Sequence, residues 1–127
     1  MAILKSHIKL LSLLASQNTK VIKGNALSVS QQAVYENLES TKKILKDFNV
    51  KIKDIPKGFD IKNKIKSWDN TKYSKNINIK TLLKLLGVKK TITCDVSNYE
   101  DPDLIIDLNR KVKKNFHENF DLFLDFG

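Results

Sequence analysis

Cysteine, histidine and arginine are scarce in this 127-residue chain. A single cysteine, Cys94, excludes a disulfide framework and a multi-cysteine metal site, and two histidines, His7 and His117, leave little for a zinc centre. No apolar run approaches the roughly 18 residues of a membrane-spanning helix, and polar neighbours interrupt the apolar segment 8–15, so we expect no secretory signal. We therefore expect a cytoplasmic protein of one domain, with enough hydrophobic residues for a core.

The charge is unevenly distributed. Residues 1–90 contain 19 Lys/Arg and 6 Asp/Glu, whereas residues 91–127 contain 4 and 8, and the whole chain carries a net charge of +9. Such a basic chain is typical of nucleic-acid binding, but every basic residue except Arg110 is lysine, and bidentate phosphate and base contacts favour arginine. A solvated lysine-rich surface is the alternative that we favour.

The hydrophobic pattern predicts alternating helices and strands. Helices are predicted over 3–14, 36–48 and 79–86, and strands near 26–30, 90–96, 104–106 and 120–125. A long connection, 50–78, joins the second and third helices, and Gly87 is placed to end the third helix in the left-handed conformation. This order predicts an α/β fold: a partial Rossmann-like open sheet, mostly parallel, flanked by helices.

Two acidic residues, Asp95 and Asp125, stand at or just beyond the ends of predicted strands. Ligands of open α/β sheets bind at the carboxyl ends of the strands. A carboxylate at the end of the second strand can accept hydrogen bonds from two ribose hydroxyls. The alternative is that such an acid caps the turn that follows it.

Two further sets of side chains have alternative interpretations. Trp68 and Tyr73 are flanked by lysines and could stack on a base, although such aromatics more often anchor a loop to the core. Cys94 lies within a predicted strand and is interpreted as buried packing rather than as a nucleophile.

The C-terminal third resembles a known family. Leu86-Gly87 precedes a strand ending in D-V-S-N-Y-E (95–100), followed by D-L-I-I-D-L-N (103–109) and F-D-L-F-L-D-F-G (120–127). This order is similar to that of a subgroup of class I S-adenosylmethionine-dependent methyltransferases, with L-G, then D-x-S-D-Y-E-G-A-D-I-I-H-D-L-N, then a helix and F-D-x-x-I-D-G-G. Segments 4–7 and 24–35 resemble the opening helix, first strand and following turn of that subgroup.

The resemblance implies a Rossmann-like sheet that binds S-adenosylmethionine, with residues 1–127 as a single, incomplete methyltransferase domain. It places the turn after the first strand, with Ser28, Ser30 and Gln31, beside the methionine end of the cofactor. At the end of the second strand, Asp95 would hold the ribose and Val96 would pack on the adenine. Asp107, Leu108 and Asn109, at the end of the third strand, would lie near the adenine, and Asp125, at the end of the fourth, near the transferred methyl group. No catalytic base and no metal ligand is implied.

The chain departs from the family pattern in ways that leave alternatives open. Ser30 stands where a glycine usually lets backbone approach the cofactor, and Phe126-Gly127 replaces Gly-Gly. Fewer strands are predicted than a full methyltransferase has, so we expect an exposed sheet edge that favours self-association or a completing chain, and an inactive isolated chain. The alternatives are a non-catalytic methyltransferase-like remnant acting as an interaction module and a lysine-rich nucleic-acid-binding protein.

Overall fold

Helices and strands alternate along the residues that the structure, a computed structural model, describes: 2–17, 21–116 and 119–126. The helices are α1 (Lys5–Ser16), α2 (Leu38–Asp47) and α3 (Ile79–Leu86). The strands are β1 (Ala2–Ile3), β2 (Asn25–Val29), β3 (Ala33–Val34), β4 (Lys90–Asp95), β5 (Leu104–Ile105) and β6 (Leu122–Leu124). Short 3-10 turns span Lys66–Trp68, Lys72–Lys75 and Lys114–Phe116. Within these residues, no helix is long and apolar enough to cross a membrane.

The main sheet has four strands, all parallel, in the order β5-β4-β2-β6. Counted along the chain within this sheet, the spatial order is third, second, first, fourth, which is the order of the first four strands in a Rossmann fold. A separate pair, β1 and β3, is also parallel. The predicted α/β class and the mostly parallel open sheet are therefore confirmed, and all four predicted strands form within a few residues of their expected bounds.

The helices cover one face of this sheet. Ala26 of β2 and Leu124 of β6 point to that face and are buried in one core with residues of all three helices, such as Leu45 and Leu82. The opposite face carries apolar residues of three neighbouring strands, aligned by the register. These are Leu27, Ile92 and Phe123, which lie outside the core.

Polar side chains fix where α2 and α3 begin. The side chain of Asn37 accepts a hydrogen bond from the Ser40 N–H at 2.9 Å, and that of Asn78 accepts one from the Thr81 N–H at 2.8 Å, as N-caps do. Gly87 ends α3 with φ +102°, so the predicted left-handed termination is confirmed.

Hydrogen bonds and apolar contacts both hold the long connection, 50–78, in place. The Asn78 side-chain amide donates to the carbonyls of Asp60 and Lys62 at 2.7 and 2.8 Å. Partly buried Ile52, Ile55 and Ile61 pack against the core. Residues 50–78 therefore form the predicted long connection along a defined path, which includes two of the 3-10 turns.

Two helices start later than predicted for one physical reason, which is pairing between distant segments. α1 begins at Lys5 rather than residue 3, because β1 pairs with β3. α2 begins at Leu38 rather than residue 36, because the Glu36 carbonyl accepts the Ile77 N–H at 3.0 Å and holds the chain extended.

The helix that the resemblance implies after Asn109 is absent from the described residues 110–116, which contain one 3-10 turn. Residue 117 lies outside the described residues.

Candidate functional site

The carboxyl ends of the parallel strands line up along one edge of the main sheet. Val29 pairs with Cys94, Ser28 with Leu124, and Asp95 with Ile105. The residues that follow these strands therefore lie in a row, in the order 106–109, 95–96, 30–31 and 125. All nine residues implied by the resemblance belong to this edge or to the ends of its strands.

The turn after β2 has an unusual backbone conformation. Ser30 adopts φ +58°, in the left-handed region that glycine occupies without cost. The Ser30 N–H donates to the Cys94 carbonyl at 2.6 Å, and the buried Ser28 hydroxyl donates to the Ser30 carbonyl at 3.3 Å. The turn is thus held against β4 in the conformation that a glycine at this place would take, although serine adds a Cβ.

Gln31 points from this turn toward the loop between β4 and β5. Its side chain is almost entirely buried, and its amide donates to the Thr93 hydroxyl and to the Asp101 carbonyl, both at 3.4 Å. These distances are long for hydrogen bonds of this type. The Gln31 amide is therefore positioned but weakly held.

Asp95 takes the capping role, one of the two alternatives that the sequence left open, with only one of its two oxygens. Its Oδ1 accepts the Ser97 N–H at 3.2 Å, so one oxygen caps the turn. Its Oδ2 accepts no hydrogen bond from the described residues, and the carboxylate is only partly buried. The next side chain, Val96, is 67% exposed at the same edge. One carboxylate oxygen and an apolar side chain are thus open to a ligand.

The segment 107–109 forms a turn of its own beyond β5. Asp107 accepts the Asn109 N–H at Oδ1 (3.0 Å) and pairs through Oδ2 with Arg110 Nε at 3.1 Å. Leu108 is exposed. Both Asp107 oxygens are therefore engaged locally, and this side chain lines a separate hollow of about 280 Å³ along the outer edge of β5.

Asp103, which sequence reasoning assigned no role, lies just before β5 and accepts three hydrogen bonds. Its Oδ2 accepts the Thr93 N–H at 2.7 Å and the Thr93 hydroxyl at 3.0 Å, and its Oδ1 accepts from the Lys80 ammonium at 2.6 Å. Burial opposes ionisation, but the Lys80 and Thr93 bonds outweigh it and lower the pKa of Asp103. Its N–H also donates to the Thr93 hydroxyl at 3.1 Å, so Asp103 fixes the short connection between β4 and β5.

A cleft of about 450 Å³ opens beside Gln31, between the long connection, the start of α3 and the β4–β5 loop. Gln31 is the one member of the nine implied residues that lines it. Its charged lining residues are Asp60, Lys64, Lys66, Asp69, Lys80, Glu100, Asp101 and Asp103. The part of the chain that the structure covers shows no group of three or more His, Cys, Asp or Glu side chains arranged to hold a metal ion. The cleft is suited to a small polar ligand that carries both charges.

Comparisons with protein-family models, curated proteins and solved structures find no match to this chain. The observations that bear on function are therefore internal to the chain. They are the strand order, the geometry of its carboxyl edge, and the motifs along residues 86–127.

Proposed function

We propose that this chain is an S-adenosylmethionine-dependent methyltransferase, or the cofactor-binding half of one, with an unidentified acceptor. The observation that carries the proposal is the carboxyl edge of a sheet ordered third, second, first, fourth, where Ser30 turns with φ +58° beside Asp95. Nucleoside-containing cofactors bind Rossmann-like sheets at this edge, with an acid after the second strand on the ribose.

Asp95 and Val96 are the residues that would hold the nucleoside. The uncommitted Oδ2 of Asp95 can accept a ribose hydroxyl, and the partial burial of this carboxylate would strengthen that bond relative to one in open solvent. The exposed Val96 side chain offers the adenine an apolar surface. The open groups at this edge therefore fit the nucleoside.

Gln31 would face the methionine end. This end of the cofactor carries an ammonium and a carboxylate, and the cleft that Gln31 lines contains side chains of both signs, such as Lys80 and Asp69. Asp69 makes no ion pair within the described residues, so it is available to an ammonium group. The Cβ of Ser30 is the feature that opposes the fit, because it narrows the approach of a ligand to the turn.

When bound, the cofactor supplies an electrophilic sulfonium methyl group to a nucleophile aligned with the sulfur–carbon bond. The residues of this chain bind and orient it; none of the described side chains is assigned the proton of the acceptor. A cytoplasmic location is part of the proposal, since the single cysteine, Cys94, is buried and unpaired.

Isothermal titration calorimetry with S-adenosylmethionine and its demethylated product tests the proposal. We expect saturable binding by the unmodified chain and at least about tenfold weaker binding by Asp95→Ala, the size expected for one charge-assisted hydrogen bond. Asp47→Ala, which removes an exposed acid from α2, is the matched control and is expected to bind as the unmodified chain does. Absence of binding by the unmodified chain, with no rise in melting temperature, would reject the proposal and favour a cofactor-free interaction module.

A further inference from the structure

Three aromatic side chains that are distant in sequence form one cluster near the carboxyl edge of the sheet. The ring centroids of Tyr35 and Trp68 are 4.8 Å apart, those of Trp68 and Tyr73 are 4.8 Å apart, and those of Tyr35 and Tyr73 are 5.4 Å apart. None of the three is buried, and Tyr35 is 40% exposed. Aromatic rings in a core would be covered, so this cluster presents ring surface to solvent.

Lysines are frequent in the segment that carries two of these rings. Residues 62–75 contain five lysines and one acid, and all five lysines are exposed. Lys62, Lys72 and Lys75 make no ion pair within the described residues, and Lys72 Nζ lies 4.9 Å from the centre of the Tyr73 ring. None of these three exposed lysines would have to break an ion pair to neutralise an anionic partner, although Lys62 also interacts with the charge of Asp60.

Lys66 joins this segment to the edge of the sheet. Its N–H donates to Glu100 Oε2 at 2.9 Å, its ammonium is 3.4 Å from Asp101 Oδ2, and Nζ lies 5.5 Å from the centre of the Tyr99 ring. Tyr99 is itself 64% exposed. Tyr35 directly follows β3, which comes just after the turn at Ser30. The aromatic cluster therefore borders the candidate functional site.

We propose that this aromatic–lysine surface, formed by Tyr35, Trp68, Tyr73 and Lys62, Lys72 and Lys75, binds single-stranded nucleic acid. Unpaired bases stack on exposed aromatic rings, and lysines neutralise the backbone without reading sequence. The lysine-rich composition alone did not favour such a site. The clustered rings and the three lysines without ion pairs are the observations that favour it. The binding does not require the cofactor, so it is tested independently of the methyltransferase proposal.

Trp68 is the only tryptophan of the chain, so its fluorescence reports directly on stacking at this surface. The experiment titrates the full chain, without cofactor, with decamers of uridylate, of thymidylate, a DNA duplex, and heparin. We expect both single strands to quench Trp68 and to bind more tightly than the duplex, with affinity falling as salt rises. The uridylate and thymidylate arms distinguish an RNA partner from a DNA partner. Heparin binding of equal strength, or binding of single strands without quenching, would reject stacking and overturn the proposal.

Charge-matched variants separate this surface from general lysine attraction. Lys72→Gln/Lys75→Gln is expected to reduce the slope of log affinity against log salt by about 1.4, at about 0.7 for each lysine. Lys89→Gln/Lys90→Gln makes the same charge change at the start of β4, the opposite edge of the sheet, and is expected to leave the slope unchanged. Equal effects of the two pairs would contradict the proposed location.

Trp68 variants test the stacking itself, with binding followed by fluorescence anisotropy of a labelled decamer. Trp68→Ala is expected to weaken binding about fivefold or more, and Trp68→Phe, which keeps an aromatic ring, to retain most of it. Circular dichroism melting verifies that each variant is folded. Unchanged binding by Trp68→Ala, or the same loss in both variants when both are folded, would overturn the proposal.

Discussion

The carboxylate of Asp103 acts as the strand partner of Thr93 just before β5 begins, and its removal should be costly. Asp103→Ala leaves the N–H of Thr93, a fully buried residue, without a partner, and an unpaired buried donor costs about 1–3 kcal/mol. The ion pair to Lys80 adds about 1 kcal/mol at most, because both side chains are about one-third exposed. We therefore expect a loss of about 2–3 kcal/mol in the free energy of unfolding.

For a chain of this size, about 3–5 °C of melting temperature corresponds to each kcal/mol, so Asp103→Ala should melt about 6–15 °C below the unmodified chain. Asp101→Asn is the control two residues away. It removes the charge of the 3.4 Å pair with Lys66 but keeps a residue that tolerates the left-handed φ of +47° at this position. Because the Asp101 side chain is 74% exposed, the variant should shift the melting temperature by about 2 °C or less. Differential scanning calorimetry measures both. Equal shifts in the two variants would refute the reasoning that Asp103 completes the strand.

The remaining predictions concern acid stability, the turn after β2 and the buried thiol. The pKa of Asp103 is lower in the folded than in the unfolded chain, so the ionised carboxylate stabilises the fold above about pH 4. This stabilisation is lost as the pH falls through the folded-state pKa. The free energy of unfolding in urea should therefore depend less on pH below about pH 4 in Asp103→Asn than in the unmodified chain, and an unchanged dependence would contradict this. Ser30→Gly removes the strain of a left-handed serine, which costs roughly 1–2 kcal/mol, but adds about 0.5–1 kcal/mol of backbone entropy lost on folding. The variant should therefore melt a few degrees higher and bind the cofactor more tightly. A lower melting temperature would count against this reasoning. Burial, and then the charge of Asp95, raise the pKa of Cys94, so iodoacetamide should modify it far more slowly in the native chain than in urea, and similar rates would show that the thiol is accessible.

The elements predicted best from the sequence are those whose signals are local. The helix over 79–86 was predicted with its bounds, because a dense apolar pattern meets a glycine that can end it. The β4 strand was predicted because β-branched residues alternate up to Asp95. Both depend on residues within one turn or one strand of each other.

The features that the sequence could not predict depend on contacts between distant segments. β1 and β3 have two residues each and exist because Ala2 and Ile3 pair with residues about thirty positions away. The aromatic cluster likewise joins Tyr35 to Trp68 and Tyr73 across a long connection. Neither two-residue strands nor loop-to-loop contacts leave a periodic pattern in the sequence.

The candidate site was only partly predictable for the same reason. The positions of Asp95 and Ser30 at one edge followed from the expected strand ends, and the structure brings them together. The hydrogen bonds of the Asp103 carboxylate could not be predicted, because their donors, Lys80 of α3 and Thr93 of β4, lie at least ten residues away in the sequence. The cleft beside Gln31 was missed too, since the path of the long connection forms one of its walls.

The main sheet tapers from its centre to its two sides. β2 and β4 pair over five residues, whereas β6 contributes three and β5 two. Few ladder bonds must break to detach either outer strand, so amide hydrogen exchange should be fastest there and slowest in the central pair. Asp95, which ends β4, and the acids after β5 and β6, Asp107 and Asp125, thus lie in segments that open at different rates. A molecule bound across the carboxyl edge would slow the opening of the two outer strands.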